Sequence, residues 1–193
     1  MDTVFSFLAE NFDLPILDWI AEHLAFPWLD QVMPLITKLG DHGIFWIGLT
    51  VLMLLFPKTR KAGISMALAL VMGLLVCNVV MKPIFARIRP YDYQLLFHDR
   101  VIPLLIAAEK EFSFPSGHTI ASFEAATALC IYHKKLGIPA LILASLIAFS
   151  RLYLYVHYPT DVFASILLGV GIAFLSAKLV DEGHRICRRR GLL

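Results

Sequence analysis

Three stretches of this chain gather ionisable residues where apolar segments end. The first, KPIFARIRP, carries Lys82, Arg87 and Arg89; the second, PSGH, carries Ser116, Gly117 and His118; the third, SRLYLYVHYPTD, carries Arg151, His157 and Asp161. Lys82, Arg89 and Arg151 supply cations, two imidazoles and one carboxylate accompany them, and a Pro-Ser-Gly sequence opens a helix. Arginine presents a planar fork of donors that matches the oxygens of a tetrahedral anion two at a time, and lysine adds a compact charge. A helix opened by Ser-Gly leaves backbone N–H groups pointing outward with the positive end of the dipole behind them, and glycine admits a ligand close to the backbone. Phosphate is the natural ligand of such a set.

Two histidines point beyond binding to turnover. A neutral imidazole can attack phosphorus and form a covalent intermediate that water later hydrolyses. A carboxylate on its other ring nitrogen fixes the tautomer and stabilises the developing charge. Asp161 lies four residues after His157, and Pro159 between them is suited to start a helix that carries Asp161 in its first turn. A second imidazole from another helix, His118, can protonate the departing oxygen, while the cations spread over the phosphoryl oxygens.

Taken together, K-x6-RP at Lys82–Pro90, PSGH at Pro115–His118 and SR-x5-H-x3-D at Ser150–Asp161 resemble the three signature motifs of the type 2 phosphatidic acid phosphatase superfamily. That family includes membrane lipid phosphate phosphatases and soluble vanadium haloperoxidases. The resemblance covers about 80 central residues, in order and with the family's spacings. It implies His157 as nucleophile, Asp161 as its orienting partner and His118 as general acid, with Lys82, Arg89, Ser116, Gly117 and Arg151 as the phosphate cradle. It implies no metal and no cofactor. Arg87 lies within the first motif but at none of its fixed positions. Singly, these residues have plainer explanations, such as snorkelling anchors for Lys82 and Arg89; their combination carries the catalytic reading.

The elements that must position these residues are apolar. Of the 193 residues, 59% are hydrophobic and 17% charged, against roughly a quarter charged in soluble domains, and the mean hydropathy is +0.73. The excess falls in blocks long enough to cross roughly 30 Å of hydrocarbon. The expected fold is therefore all-α, an integral membrane helical bundle with five spans: Gly43–Pro57, Ala62–Met81, Gly117–His133, Leu136–Val156 and Asp161–Val180. KTRK at Lys58–Lys61, HKK at His133–Lys135 and the arginine-rich tail fall on alternate connections, which the positive-inside rule assigns to the cytoplasm. The three motifs then meet at the outer face.

Residues 1–41 are acidic and read as an amphipathic, interfacial segment. Ile16, Trp19, Ile20, His23 and Leu24 form one apolar stripe; Leu29, Val32, Met33 and Ile36 form another. A polar first span, making six, stays open as the alternative. Residues 42–183 form the transmembrane core and 184–193 a basic cytoplasmic tail. No basic leader precedes the first apolar segment, so the helices themselves are expected to direct insertion. Trp19, Trp28, Trp46 and the tyrosines of 153–158 read as interfacial belt residues. Cys77, Cys130 and Cys187 fit neither a disulfide framework nor a zinc site. Glu124 and Asn78 fall inside spans, where a polar group faces either a cavity or a neighbouring helix; both are read as lining the headgroup pocket.

The expected partners are a lipid phosphate or diphosphate and the bilayer. Net charge of +2 gives no footprint for nucleic acid. The candidate lipids are phosphatidic acid, phosphatidylglycerol phosphate and undecaprenyl diphosphate. Two further classes remain at this stage: a vanadate-dependent haloperoxidase using the same cradle, which the apolar spans disfavour, and a non-catalytic lipid-phosphate binding or transport protein.

Overall fold

The computed structural model describes residues 3–190, and every regular element among them is helical. Helix α1 (Thr3–Leu8) passes through a π-helical turn at Ala9–Asp13 into α2 (Leu14–His23), followed by α3 (Pro27–Lys38). A 3-10 turn at Asp41–Gly43 leads into α4 (Ile44–Leu55). Helix α5 (Arg60–Leu74) continues through a π-helical stretch, Leu75–Met81, into the short α6 (Lys82–Phe85). Ala86 then turns the chain in the left-handed region, φ 42°, and α7 (Pro90–His98) follows. An irregular segment, 99–116, precedes α8 (Gly117–Tyr132), α9 (Lys134–Tyr153) and α10 (Pro159–Arg189).

The all-α expectation stands, with three or four segments that reach the length and hydropathy of a span by themselves. Only the run Arg60–His98, α9 and α10 are each long and apolar enough to cross a membrane, and α3 with the helix after Asp41 passes as a pair bent by 44°. Among the described residues that makes three helices of spanning length, or four with the bent pair, and the five-span reading adds α8 to these. Helix α4 has 12 residues, about 18 Å of rise, and α8 has 16, about 24 Å. Helix α8 differs in its surroundings: every residue from Ser122 to Leu129 is buried, so its apolar sequence faces the other helices of the bundle.

Helix α8 is the axis of the bundle, packed by α5, α9 and α10. Small residues let the backbones approach, which is how helices associate when lipid is as apolar as leucine. Ala125, Ala126 and Ala128 of α8 are fully buried. Interhelical hydrogen bonds add specificity: Trp46 Nε1 donates to Ser122 Oγ at 2.9 Å, and Ser65 and Ser176 pair through their hydroxyls at 2.9 Å. Trp46 is therefore a core anchor, fully enclosed, and the belt expectation is corrected there. Trp19 and Trp28 are indeed exposed, whereas Tyr155 and Tyr158 are buried.

Residues 3–41 are built into the bundle. Leu14, Leu17, Leu29 and Met33 pack with Tyr91, Tyr93, Tyr155 and Tyr158 in a second core. The inward face of α2 is Leu14, Leu17 and Ile20, and Trp19 of the predicted apolar stripe points outward, 54% exposed. Asp18 turns inward instead, accepting from Tyr155 and Arg100. The segment is amphipathic with its apolar face, Leu14, Leu17, Ile20, Leu29 and Met33, toward protein, and Asp18 joins that face through its hydrogen bonds. At the other end α10 carries the basic tail as helix to Arg189; residues 191–193 of that expected tail lie outside the described residues.

Candidate active site

Between α4, α5 and α8 a cavity of about 740 Å³ opens, lined at one end by Lys82, Arg89, Glu109, Glu111, Gly117, His118 and His157. Below them its wall is apolar, with Ile47, Val51, Leu54, Leu70, Val71 and Leu74, interrupted by Asn78 and Glu124. The side chains expected to act together thus share one enclosure, although Lys82 and His157 are far apart in sequence.

His157 sits in the connection between α9 and α10 and is 1% exposed. Its Nε2 is 3.2 Å from Arg89 Nη1, whose N–H it accepts, and the same Arg89 nitrogen donates to Val156 O at 2.7 Å. An Nε2 that accepts carries a lone pair, which puts the proton on Nδ1. Burial first, then Arg89, Arg151 and His118, hold this imidazole well below its ordinary value near 6.5. The ring is thus neutral, the state in which an imidazole is able to attack an electrophile.

Behind the ring, Asp161 Oδ2 lies 3.5 Å from Nδ1, longer than a hydrogen bond. Ser113 stands between them: it donates to Asp161 Oδ2 in a short hydrogen bond and lies 3.4 Å from His157 Nδ1. Asp161 occupies the first turn of α10, started by Pro159 as expected, and reaches back to the Tyr158 N–H at 3.2 Å. Arg87 is the residue the motif reading passed over. Fully buried, it donates to Asp161 Oδ1 at 2.5 Å and to Asp13 Oδ2 at 2.7 Å, and its guanidinium stacks 3.7 Å from the centroid of Tyr158. Asp13 in turn accepts from Thr160 N–H and Oγ1. The carboxylate behind the His157 ring is fixed by an ion pair that begins in the N-terminal segment.

Gly117 opens α8 toward Lys82. A Cβ there would meet only Cys77 Sγ at 3.8 Å and Lys82 Nζ at 4.0 Å, so the backbone lies open to a ligand. Ser116 braces the site from behind: it is fully buried, and its N–H donates to Ser165 Oγ at 2.8 Å. The amides from Gly117 onward are then those without an intrahelical acceptor. Arg151 is likewise one layer back, 1% exposed, donating to Thr37 Oγ1 at 2.7 Å and pairing with Glu109.

Carboxylates from the irregular segment occupy these cations. Glu111 pairs with Lys82, and Glu109 bridges Arg151 and, at 3.6 Å, Arg89. Burial alone would raise the Glu109 carboxyl, but Arg151, Arg89 and His118 hold it at about 2. The segment is tied down by Arg89 Nε to Glu111 O, Tyr91 Oη to Glu109 O, and Ser113 N–H to Arg87 O. On the far side, His118 Nε2 meets Asp41 Oδ1 at 2.8 Å. Glu124 and Asn78 line the same cavity, as read from the sequence. Glu124 is 1% exposed, its Oε2 has no hydrogen-bond partner among the described residues, and Gly73 concedes the space its carboxyl fills.

A family model described as PAP2 superfamily matches residues 61–185. The chain is 36% identical to an undecaprenyl-diphosphatase of Sulfolobus acidocaldarius over 158 residues, covering 80% of this chain and 72% of that one. It is 34% identical to phosphatidylglycerophosphatase B of Bacillus subtilis over 184 residues, covering 85% and 81%. The crystal structure of a transmembrane PAP2 type phosphatidylglycerolphosphate phosphatase from Bacillus subtilis superposes with a TM-score of 0.70 at 29% identity, covering 94% of this chain and 88% of that one.

Proposed function

Because the chain belongs to the PAP2 superfamily, we propose that it is a membrane lipid phosphatase acting on a phosphate monoester or diphosphate headgroup through a phosphohistidine. The lipids in view are phosphatidylglycerol phosphate, undecaprenyl diphosphate and phosphatidic acid. The first two are named for relatives of 34% and 36% identity. The observation that carries the reading is the common cavity of His118, His157, Lys82 and Arg89.

In the proposed reaction the phosphoryl group enters where Glu109 and Glu111 now sit. Lys82, Arg89 and the first amides of α8 take its oxygens, and Arg151 stands behind with its charge. Arg89 turns from His157 to the phosphate, freeing the Nε2 lone pair for phosphorus. The P–N bond forms as the P–O bond to the leaving group breaks, and His118 gives that oxygen a proton. Asp161, held by Arg87 and Ser113, balances the charge that grows on His157. Water then attacks phosphorus, giving its proton to His118, and the P–N electrons return to His157. The apolar wall below the cations suits a lipid whose chains stay in the bilayer.

The site is proposed to face outward and the C-terminus the cytoplasm, on the distribution of basic residues. Phosphate release by detergent-solubilised protein, with phosphatidylglycerol phosphate, undecaprenyl diphosphate and phosphatidic acid compared, tests the function. His157→Ala and His118→Ala are expected to lower turnover by about a thousandfold, vanadate to inhibit, and EDTA to have no effect. Loss of wild-type activity with chelator contradicts the metal-free mechanism.

A further inference from the structure

We propose that Asp41 is a positioning residue for the acid imidazole: its carboxylate holds Nε2 of His118, so that Nδ1 presents the proton the leaving oxygen receives. The inference rests on the reading of His118 as general acid. Asp41 lies outside residues 61–185 matched by the family model, in the turn between α3 and α4, and belongs to none of the three motifs.

The geometry is specific to one edge of the ring. Asp41 Oδ1 is 2.8 Å from His118 Nε2. Its neighbour Gly40 covers the adjoining carbon: a Cβ at Gly40 would stand 2.6 Å from His118 Cδ2 and 3.2 Å from Cγ. Position 40 therefore has no room for a side chain, and the turn lies flat on the Cδ2–Nε2 edge. The opposite edge, with Nδ1, has no hydrogen-bond partner among the described residues, and His118 lines the cavity that holds Lys82, Arg89 and His157.

The turn that carries Asp41 is itself held. Gly40 N–H donates to Thr37 O at 2.8 Å and Gly43 N–H to Gly40 O at 3.2 Å. His42 and Gly43 are both left-handed, with φ of 51° and 66°, an unfavourable conformation for a residue with a Cβ. One turn back, Thr37 accepts from Arg151 Nη1. The end of α3 thus braces a cation and an imidazole of the same site. The charged groups that face His118 are Asp41 from this turn, Glu109 from the irregular segment and Arg151 from α9.

The two imidazoles then work as a complementary pair. His157 has Asp161 and Ser113 on its Nδ1 side and uses Nε2; His118 has Asp41 on Nε2 and uses Nδ1. A carboxylate on the far nitrogen fixes which ring atom does the chemistry. As His157 Nε2 bonds phosphorus, the bond to the leaving oxygen breaks with its electron pair, and that oxygen takes the Nδ1 proton. His118 keeps its Nε2 proton on Asp41. In the second step Nδ1 regains a proton from the attacking water, and the P–N electrons return to His157.

Leaving-group dependence separates this role from a merely structural one. A good leaving group departs without a proton and a poor one needs the acid. The experiment compares 4-nitrophenyl phosphate with phenyl phosphate for wild type, Asp41→Asn, Asp41→Glu, His118→Ala and the Asp41→Asn/His118→Ala pair, with thermal midpoints recorded in the same detergent. Asp41→Asn is expected to lower kcat about tenfold on phenyl phosphate, with KM within threefold, and by a several-fold smaller factor on the nitrophenyl ester. His118→Ala should show the same steepening, the pair should lose no more than His118→Ala alone, and Asp41→Glu should recover at least a third of wild-type kcat on phenyl phosphate. Equal losses on both esters by Asp41→Asn, a loss confined to KM, or an additive loss in the pair overturns the assignment of Asp41. If His118→Ala itself loses equally on both esters, the acid role of His118 falls and the inference with it.

Discussion

At the scale of residues, the site depends on an imidazole kept neutral among cations. His157 is held well below 6.5 by burial and by Arg89, Arg151 and His118, so the folded state binds fewer protons there than the unfolded chain. As pH falls through about 6.5 the unfolded state takes up a proton that the native ring refuses, and stability declines on the acid side. In the proposed reaction His157 stays competent as nucleophile below that pH. The expected profile of kcat against pH therefore has its acid limb well below 6.5, and the thermal midpoint begins to fall before activity does. Lys82, Arg89, His118, His157 and Asp161 were legible because their spacing repeats a known pattern. Asp13, Asp41, Ser113, Glu109 and Glu111 were not, since an isolated acid or serine in a loop has no local signal and acquires its role only from contacts across the fold. Arg87 sat in view, but nothing adjacent in sequence says that it joins Asp13 to Asp161.

At the scale of elements, segment 99–116 behaves as an internal anion. Glu111 is 63% exposed at its side chain while its carboxylate pairs with Lys82, whose side chain is 11% exposed. Glu109 is set deeper and stays ionised to about pH 2, so its pair with Arg151 does not titrate over the working range. An incoming phosphate must take these cations from the carboxylates. Glu111→Gln is accordingly expected to lower the vanadate concentration for half-inhibition by about threefold to tenfold, measured on detergent-solubilised protein. A rise instead would mean that Glu111 orients Lys82 for the ligand. The ends of α8 and α10 were readable from Pro-Ser-Gly and from Pro159. The bend between α3 and α4 and the left-handed break at Ala86 were not, because the polar residues that interrupt the chain at both places do not say which direction it then takes.

At the scale of the whole molecule, the N-terminal helices, the loop and the bundle close on one cavity, and the membrane determines from which side it is reached. Composition was enough to read an all-helical membrane protein, whereas the enclosure of α8 by the helices packed around it was not readable from its hydropathy. The proposed topology puts Cys187, in the last turns of α10, on the cytoplasmic side. An impermeant maleimide should label Cys187 in inside-out vesicles and leave it unlabelled in intact cells, as read by peptide mapping. Labelling in intact cells would invert the orientation. The central claim is that His157 Nε2 bonds phosphorus during turnover. Rapid quenching in alkali, which spares phosphohistidine, followed by mass analysis of the peptide containing residue 157 during steady-state turnover tests it most directly. The account predicts one phosphoryl group on His157 that is absent from His157→Ala; turnover with no phosphoryl group on that residue, or with one on another side chain, would contradict it.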